Sequence, residues 1–174
     1  MDNLHILAPG QIPGQWQETT AFGAAVWLFM HSPQHVDAPL HALQRLLLPA
    51  IRSRQFVLLF EGQKPVAYAA WARFSAEAEQ RYITAHPATM PEQDWTSGQR
   101  YWLLDVIAPF GHLRPLTRVL RQLLAGHCVR SLYHKGDITG LRVMQFRAAM
   151  VTPHAARHWY DQHPLATRLT GSPA

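Results

Sequence analysis

Apolar residues recur at helical spacing early in the chain. Residues 21–30 are apolar around the whole helix axis, which predicts a helix that is buried on most sides. Asp37 can cap a second helix with Pro39 in its first turn, and this helix should run to about residue 53. Its buried face is predicted from six apolar residues at helical spacing, which are Leu40, Leu43, Leu46, Leu47, Ala50 and Ile51.

A β-hairpin is predicted next. Residues 55–60 and 65–74 are rich in apolar and aromatic side chains, and a turn of about four residues separates them. Ser75 can then cap a short helix that runs to about residue 84. Residues 86–99 contain His-Pro and Ser-Gly breaks and are predicted to form a loop.

Strands and helices alternate in the rest of the chain. The predicted elements are a strand that begins at Arg100, a helix from Arg114 that closes at Gly126, a strand at 129–133, a turn at 135–137, a strand at 141–150 and a helix from Thr152 that ends before Pro164. A turn at Pro109-Phe110-Gly111 ends the first of these strands. We expect the sheet to open for a ligand at the strand-to-helix step that follows Asp105.

This order of elements predicts one α+β domain around a mostly antiparallel, curved sheet. A chain of 174 residues fits a single domain. Residues 1–18 contain two Pro-Gly breaks and are predicted to be a flexible N-terminal arm. The folded domain should then span residues 19–165, and residues 166–174 should form a C-terminal tail.

The composition indicates a soluble protein of a reducing compartment. No apolar run approaches the ~20 residues that a membrane-spanning helix needs, and the N-terminus lacks a basic segment followed by an apolar one. Cys128 is the single cysteine, which excludes an intramolecular disulfide and fits the cytoplasm. We predict that Cys128 is a small buried hydrophobic residue rather than a nucleophile.

The net charge of +5 favours an anionic partner. The lysines and arginines form no dense block, and the sequence has neither zinc-finger spacing nor an RNA-recognition aromatic motif, so we do not expect nucleic-acid binding. An acidic protein is the favoured partner. Gly-rich nucleotide-binding loops and the His-Glu-x-x-His metal motif are also absent from the sequence.

Asp105 stands in an apolar run, between Leu104 and Val106 of a predicted strand. A carboxylate buried there must be paired, protonated or catalytic, because burying it alone costs several kcal/mol. His35 lies in a polar turn between two apolar helices, where an imidazole can act as a general base or as a nucleophile toward a thioester. We predict a dyad in which Asp105 fixes the tautomer of His35. The alternative is that His35 is a solvated loop residue and Asp105 a structural hydrogen-bond acceptor.

A metal site is a second interpretation of the same turn. His31, His35 and Asp37 are close in sequence and carry suitable ligand atoms. They fall across a Ser-Pro break rather than on one helix face, so we predict no metal.

A series of short motifs extends from the first predicted helix to Gly111. They are Trp27-Leu28, Ser32-Pro33, His35, Leu48-Pro49-Ala50-Ile51, the segment 55–59, Pro65-Val66-Ala67-Tyr68, Trp71-Ala72, Asp94-Trp95-Thr96-Ser97-Gly98, Asp105 and Ile107-Ala108-Pro109-Phe110-Gly111. In this order they resemble the toxin-activating lysine acyltransferases that modify RTX protoxins. The resemblance covers residues 21–125 and continues more weakly through 141–148.

The resemblance implies a fold similar to the GNAT N-acyltransferases. It implies transfer of a fatty acyl group from acyl-acyl carrier protein to the ε-amino groups of internal lysines in an RTX protoxin, in the cytoplasm before the toxin is secreted. The family's catalytic histidine falls on His35 and its catalytic aspartate on Asp105. No cofactor is implied, because a carrier protein delivers the acyl group, and a homodimer is expected by similarity to some members.

Three further roles are predicted for other residues. Acyl carrier protein is acidic, so Arg114, Arg118 and Arg121 could form its docking surface, although a solvated helix face is the alternative. Trp27, Phe29 and Trp71 could line an acyl channel, although core packing is the commoner use of such residues. Backbone N–H groups within residues 107–111 could hold an oxyanion.

The chain departs from the family pattern close to the dyad. Val36, Asp37 and Ala38 follow the histidine in place of the usual polar pair and tryptophan, Leu46 replaces an asparagine, and Val106 replaces a tryptophan. These changes leave the dyad intact and leave the acyl chain and the acceptor open. The rival hypotheses are a GNAT-like N-acyltransferase for another amine and a non-catalytic member that only binds a partner.

Overall fold

The computed structural model describes residues 4–85, 89–133 and 142–167. Its elements are β1 (Leu4–Leu7), α1 (Glu18–Met30), α2 (Leu40–Arg52), β2 (Phe56–Glu61), β3 (Lys64–Phe74), α3 (Ala76–Thr84), a 3₁₀ helix at Glu92–Thr96, β4 (Arg100–Ile107), α4 (Leu113–Leu123), β5 (Cys128–Tyr133), β6 (Arg142–Arg147) and α5 (Pro153–Gln162). The predicted turn at 135–137 lies outside the described residues.

In the described residues the strands form one sheet in sequence order, from β1 to β6. Neighbouring strands are antiparallel except for β4 and β5, which are parallel. Helix α4 is the crossover that joins this parallel pair, because two parallel strands cannot be joined by a tight turn. The predicted α+β fold with a mostly antiparallel sheet is therefore confirmed.

The sheet separates two hydrophobic cores, because successive side chains of a strand point to opposite faces. On one face, α1, α2 and α3 cover the side chains of alternate β3 residues such as Tyr68, Ala70 and Phe74. On the other face, Leu116 and Leu120 of α4 pack on the remaining ones, including Trp71. The first face, which we call the α1/α2 face, carries the candidate site.

The structure differs from the sequence predictions at the N-terminus. Leu4–Leu7 pairs with β2 as an edge strand, whereas the sequence analysis assigned residues 1–18 to a flexible arm. Pairing satisfies the backbone groups along the outer edge of β2, and Leu4 and Ile6 pack on the α4 core. Helix α1 also begins three residues before the predicted position, at Glu18.

Helix boundaries were predicted well where a side chain caps the helix. The hydroxyl of Ser75 accepts a hydrogen bond from the amide of Ala78, and that of Thr152 accepts one from Ala155. Asp37 does not cap α2, which begins at Leu40 without a side-chain cap.

Two predicted segments differ in detail from the structure. The predicted loop at 86–99 contains a short 3₁₀ helix, and the predicted strand at 141–150 is confined to Arg142–Arg147 in the described part of the chain.

A buried ion cluster joins α3 to β4, β5 and the C-terminal segment. Glu79 is fully buried, and its two oxygens accept hydrogen bonds from Arg130 and Arg100, each at 2.7 Å, and from the indole of Trp102 at 2.9 Å. The amide of Ala166 also donates to Glu79, at 3.0 Å. The start of the predicted C-terminal tail is thus tied to the domain.

Candidate active site

A β-bulge in β4 directs Asp105 to the α1/α2 face. In the register of β3 and β4, Trp71 lies opposite Leu103 and Ala70 lies opposite Asp105, so Leu104 is an extra residue in β4. Simple alternation from Trp102, which lies in the α1/α2 core, would place Asp105 on the opposite face. The bulge reverses that alternation, and the carboxylate points toward the helices.

His35 lies in the turn between α1 and α2, where the backbone folds back tightly. The amides of His35 and Val36 both donate to the carbonyl of Ser32, at 2.9 Å each. The imidazole packs on Phe29, with ring centroids 4.5 Å apart. This turn therefore holds the ring over the end of β4.

The side chains of His35 and Asp105 are in contact. Nε2 of His35 lies 3.3 Å from Oδ1 of Asp105, and both side chains are about four-fifths buried, with 19% and 18% of their surface exposed. The structure thus brings together the two residues that the sequence analysis paired. Their catalytic roles stay a prediction.

Ser32 contacts the second ring nitrogen of His35. The sequence analysis gave Ser32 no role. Its Oγ lies 2.8 Å from Nδ1 of His35, and the residue is buried. When Nε2–H donates to Asp105, Nδ1 carries the lone pair and accepts the Ser32 hydroxyl proton. The spacing Ser32-Pro33-Gln34-His35 is the only sequence signal for this contact, since it fits a single turn of backbone.

The negative charge of Asp105 acts on two buried tyrosines of the α1/α2 face. Burial raises the pKa of Tyr68 well above its usual value, and the carboxylate of Asp105 raises it further. Burial and the same carboxylate also raise the pKa of Tyr82. Both phenols are therefore protonated at neutral pH.

The sheet opens beside Asp105. Pairs between β4 and β5 end at Leu103 and Ser131, although β4 continues to Ile107 and β5 to Tyr133. Beyond Leu103 the backbone edge of β4 is thus not paired with β5. This is the strand-to-helix step at which the sequence analysis expected a ligand to enter.

Large apolar side chains are exposed on several elements of the fold. They include Trp27 and Met30 of α1, Val36 of the turn, Leu40 of α2, Val106 of β4 and Leu113 of α4. Leu40 is 82% exposed and Val36 is 55% exposed. Val36, one departure from the family pattern, lies in the turn beside His35, whereas Val106, another departure, lies opposite Ala69 in the sheet and so points to the α4 face.

The other predicted site residues are dispersed. Phe29 contacts His35, but Trp71 lies in the core on the opposite face of the sheet, so the two do not line one acyl channel. Arg114, Arg118 and Arg121 are all exposed on α4. Cys128 is buried as predicted, and burial raises the pKa of its thiol.

The metal interpretation gains no support from the described residues. His31 turns away from His35, and its Nδ1 lies 2.8 Å from the carbonyl oxygen of Trp27. Its ring packs between Trp27 and Phe110, at 4.3 and 5.3 Å. In the described part of the chain no three His, Cys, Asp or Glu side chains converge as metal ligands would.

Among the described residues, no helix is long and apolar enough to cross a membrane.

A solved structure shares this fold. The crystal structure of the loading GNATL domain of CurA from Lyngbya majuscula matches with a TM-score of 0.52, covering 79% of this chain and 71% of that one. The identity is 12%, so this similarity concerns the fold alone.

Named relatives are similar over most of their length. The protein-lysine myristoyltransferase RtxC of Kingella kingae is 33% identical, covering 81% of this chain and 84% of the relative. The protein-lysine palmitoyltransferase CyaC of Bordetella bronchiseptica is 36% identical, covering 82% and 78%. The protein-lysine myristoyltransferase HlyC of Escherichia coli is 34% identical, covering 84% and 85%. The model of the RTX toxin acyltransferase family matches residues 14–147. The chain therefore belongs to the RTX toxin acyltransferase family and has the GNAT-like fold that the sequence predicted.

Proposed function

We propose that this acyltransferase moves a fatty acyl group from acyl-acyl carrier protein to the ε-amino group of internal lysines in an RTX protoxin, and so activates the toxin. The observation that carries the proposal is the contact of His35 with both Asp105 and Ser32. A histidine held at both ring nitrogens has a fixed orientation and a defined tautomer. The names of the relatives support lysine as the acceptor.

His35 serves as the general base or as the first acyl acceptor. A lysine amine is protonated at neutral pH, because its unperturbed pKa is about 10.4, and it must lose a proton to attack. In the first route the ammonium group first loses one proton to water, and the neutral amine nitrogen then attacks the thioester carbonyl carbon while His35 takes a second proton from it. The C–S bond then breaks, the amide forms, and the imidazolium returns the proton to the leaving thiol. Asp105 stabilises the imidazolium throughout.

Ser32 lies on the path of the proton that moves from the lysine amine to His35. In the tautomer set by Asp105, the lone pair at Nδ1 faces the Ser32 hydroxyl, 2.8 Å away. The proton of the amine therefore reaches His35 through Ser32 Oγ, which passes on its own proton as it receives another. In the second route, the imidazole attacks the thioester carbonyl carbon and the C–S bond breaks, so that the thiol leaves. The neutral lysine amine then attacks the acyl-imidazole, and the C–N bond to the imidazole breaks as the amide forms.

The acyl donor enters between β4 and β5. The edge of β4 beyond Leu103 is not paired with β5, and it lies beside Asp105. A backbone N–H at the end of β4 or in residues 107–111 donates to the oxyanion that forms on the thioester carbonyl. The exposed apolar residues of α1, of the turn after it and of α2 suit a long acyl chain, and the exposed arginines of α4 suit an acidic carrier protein.

Donor and acceptor assays separate this proposal from its rivals. The purified chain is mixed with acyl-acyl carrier protein or acyl-CoA and with a lysine-containing segment of an RTX protoxin, and products are identified by peptide mass spectrometry. The proposal predicts lysine acylation from the carrier protein and little from acyl-CoA. Efficient use of acyl-CoA on small amines would favour a general N-acyltransferase. Binding to the protoxin without any acyl adduct would favour a non-catalytic role.

The cellular setting is a further part of the proposal. Acylation takes place in the cytoplasm, before the toxin is secreted, and the enzyme works as a homodimer. Sedimentation of the active enzyme at assay concentration tests the dimer, and acylated toxin recovered from the cytoplasmic fraction tests the compartment.

A further inference from the structure

The hydroxyl group of Tyr68 has no hydrogen-bond partner in the described structure, although the side chain is fully buried. A buried hydroxyl without a partner loses its hydrogen bonds to water and gains none in return. Folded proteins leave few such groups, and those that remain call for an explanation. The surroundings of Tyr68 supply one.

Tyr68 and Asp105 are diagonal neighbours on adjacent strands. Tyr68 lies opposite Ile107 and Ala70 lies opposite Asp105, so the phenol and the carboxylate share the α1/α2 face. Diagonal neighbours in an antiparallel pair are within reach of an aromatic side chain. Tyr82 approaches Asp105 from α3, but its ring packs between Phe74 and Trp102, toward the start of β4.

Asp105 has a free acceptor. Within the described residues its side chain makes one hydrogen bond, from His35 to Oδ1. That distance, 3.3 Å, is long for such a contact. A hydrogen bond between a protonated imidazole and a carboxylate is usually about 2.8 Å. Catalytic hydrogen bonds are often long without substrate and shorten when substrate fills the site. A second donor on the carboxylate would hold it in the shortened position.

We propose that Tyr68 is a positioning residue for the dyad: when substrate fills the site, its hydroxyl donates to Oδ2 of Asp105 and holds the carboxylate against His35. The inference rests on the proposed function, since it assigns the dyad its catalytic role. Tyr68 is suited to donate, because its raised pKa keeps the phenol protonated. The bond also provides the partner that the buried hydroxyl lacks.

Tyr68→Phe is the informative variant, because it removes only the hydroxyl. Tyr101→Phe is the matched control, since Tyr101 is also buried but lies in the α4 core, on the opposite face of the sheet. Both full-length variants are assayed for acyl transfer from acyl-acyl carrier protein, with kcat and KM measured from pH 5 to 9. Urea unfolding measures the stability of each variant.

Tyr68→Phe is expected to lower kcat roughly tenfold with KM little changed, and to leave stability equal to or above that of the wild type. The acid limb of its kcat profile, which reports the enzyme with substrate bound, should move to lower pH. Without the hydroxyl, the carboxylate of Asp105 is no longer held against His35, so it stabilises the imidazolium less. Tyr101→Phe should match the wild type.

Two results would overturn the inference. One is a wild-type rate in Tyr68→Phe, and the other is a lowered rate whose acid limb does not move, which indicates a merely structural role. His35→Ala, assayed in parallel, tests the proposed function separately. If His35→Ala is inactive while Tyr68→Phe is unchanged, only the inference about Tyr68 fails.

Discussion

Nε2 of His35 lies 3.3 Å from Oδ1 of Asp105, across seventy residues of sequence. Two local features produce the contact. The tight turn after α1 holds the imidazole, and the extra residue Leu104 in β4 turns the carboxylate to the same side of the sheet.

Asp105→Asn should lower the rate of acyl transfer roughly 100-fold or more, with the fold preserved. The amide has nearly the shape of the carboxylate, but it carries no charge to stabilise the imidazolium. Its NH₂ group can also face Nε2 and impose the wrong tautomer on His35. Steady-state kinetics and circular dichroism on the purified variant check both parts. A rate near the wild-type value would make Asp105 a structural acceptor.

Ser32→Ala should lower the rate about tenfold, because Nδ1 of His35 loses a hydrogen bond and the proton loses its path. Thr84→Ala is a suitable control, since the Thr84 hydroxyl is exposed and bonds only to its own helix. Rates are compared under single-turnover conditions. An acyl group found covalently on Ser32 in the wild type would contradict this account and identify Ser32 as the nucleophile.

Glu79→Gln should destabilise the fold by about 3–5 kcal/mol, because Arg100 and Arg130 would be left without a counter-charge in the core. Glu92→Gln is the matched control, since Glu92 is an exposed acid 3.9 Å from Arg52 and should contribute little. Urea unfolding followed by tryptophan fluorescence gives both values. Equal midpoints for the two variants would show that the buried cluster is not needed for stability.

Stability should fall as the pH rises above about 10. Burial raises the pKa of Tyr160 to about 12, and that of Tyr68 is also raised. A tyrosine whose folded pKa lies above its unfolded value stabilises the fold fully below pH 10, and this contribution is lost as the pH rises toward the folded pKa. Spectrophotometric titration of the tyrosines, with urea midpoints from pH 8 to 11, tests the trend. Full ionisation of all tyrosines near pH 10 in the folded protein would contradict it.

Much of the fold can be predicted from short-range patterns in the sequence. Ser75 and Thr152 cap their helices as predicted, because capping depends on residues three apart in sequence. The edge strand at Leu4–Leu7 was missed, because its four residues are held by pairing with β2 and their own pattern is too short to indicate a strand. Trp71 was named as a possible acyl-channel residue with core packing as the alternative, and it lies in the α4 core, because an aromatic residue in a strand does not reveal which face of the sheet it occupies.

The candidate site was only partly predictable. His35 and Asp105 stood out because each is a polar group in an apolar context, and the resemblance paired them. The bulge at Leu104 leaves no sequence signal, since Leu104 looks like any apolar strand residue. The partners of Glu79 and the isolated hydroxyl of Tyr68 depend on side chains that meet only after folding.

The most direct test of the central claim is acyl transfer by His35→Ala, with His158→Ala as the control because His158 is an exposed histidine on α5. Each variant is co-expressed with an RTX protoxin, and the protoxin is analysed by intact and peptide mass measurement. The account predicts no acylated lysine with His35→Ala, a folded variant protein, and wild-type acylation with His158→Ala. Acylated lysines at wild-type levels with His35→Ala would contradict it.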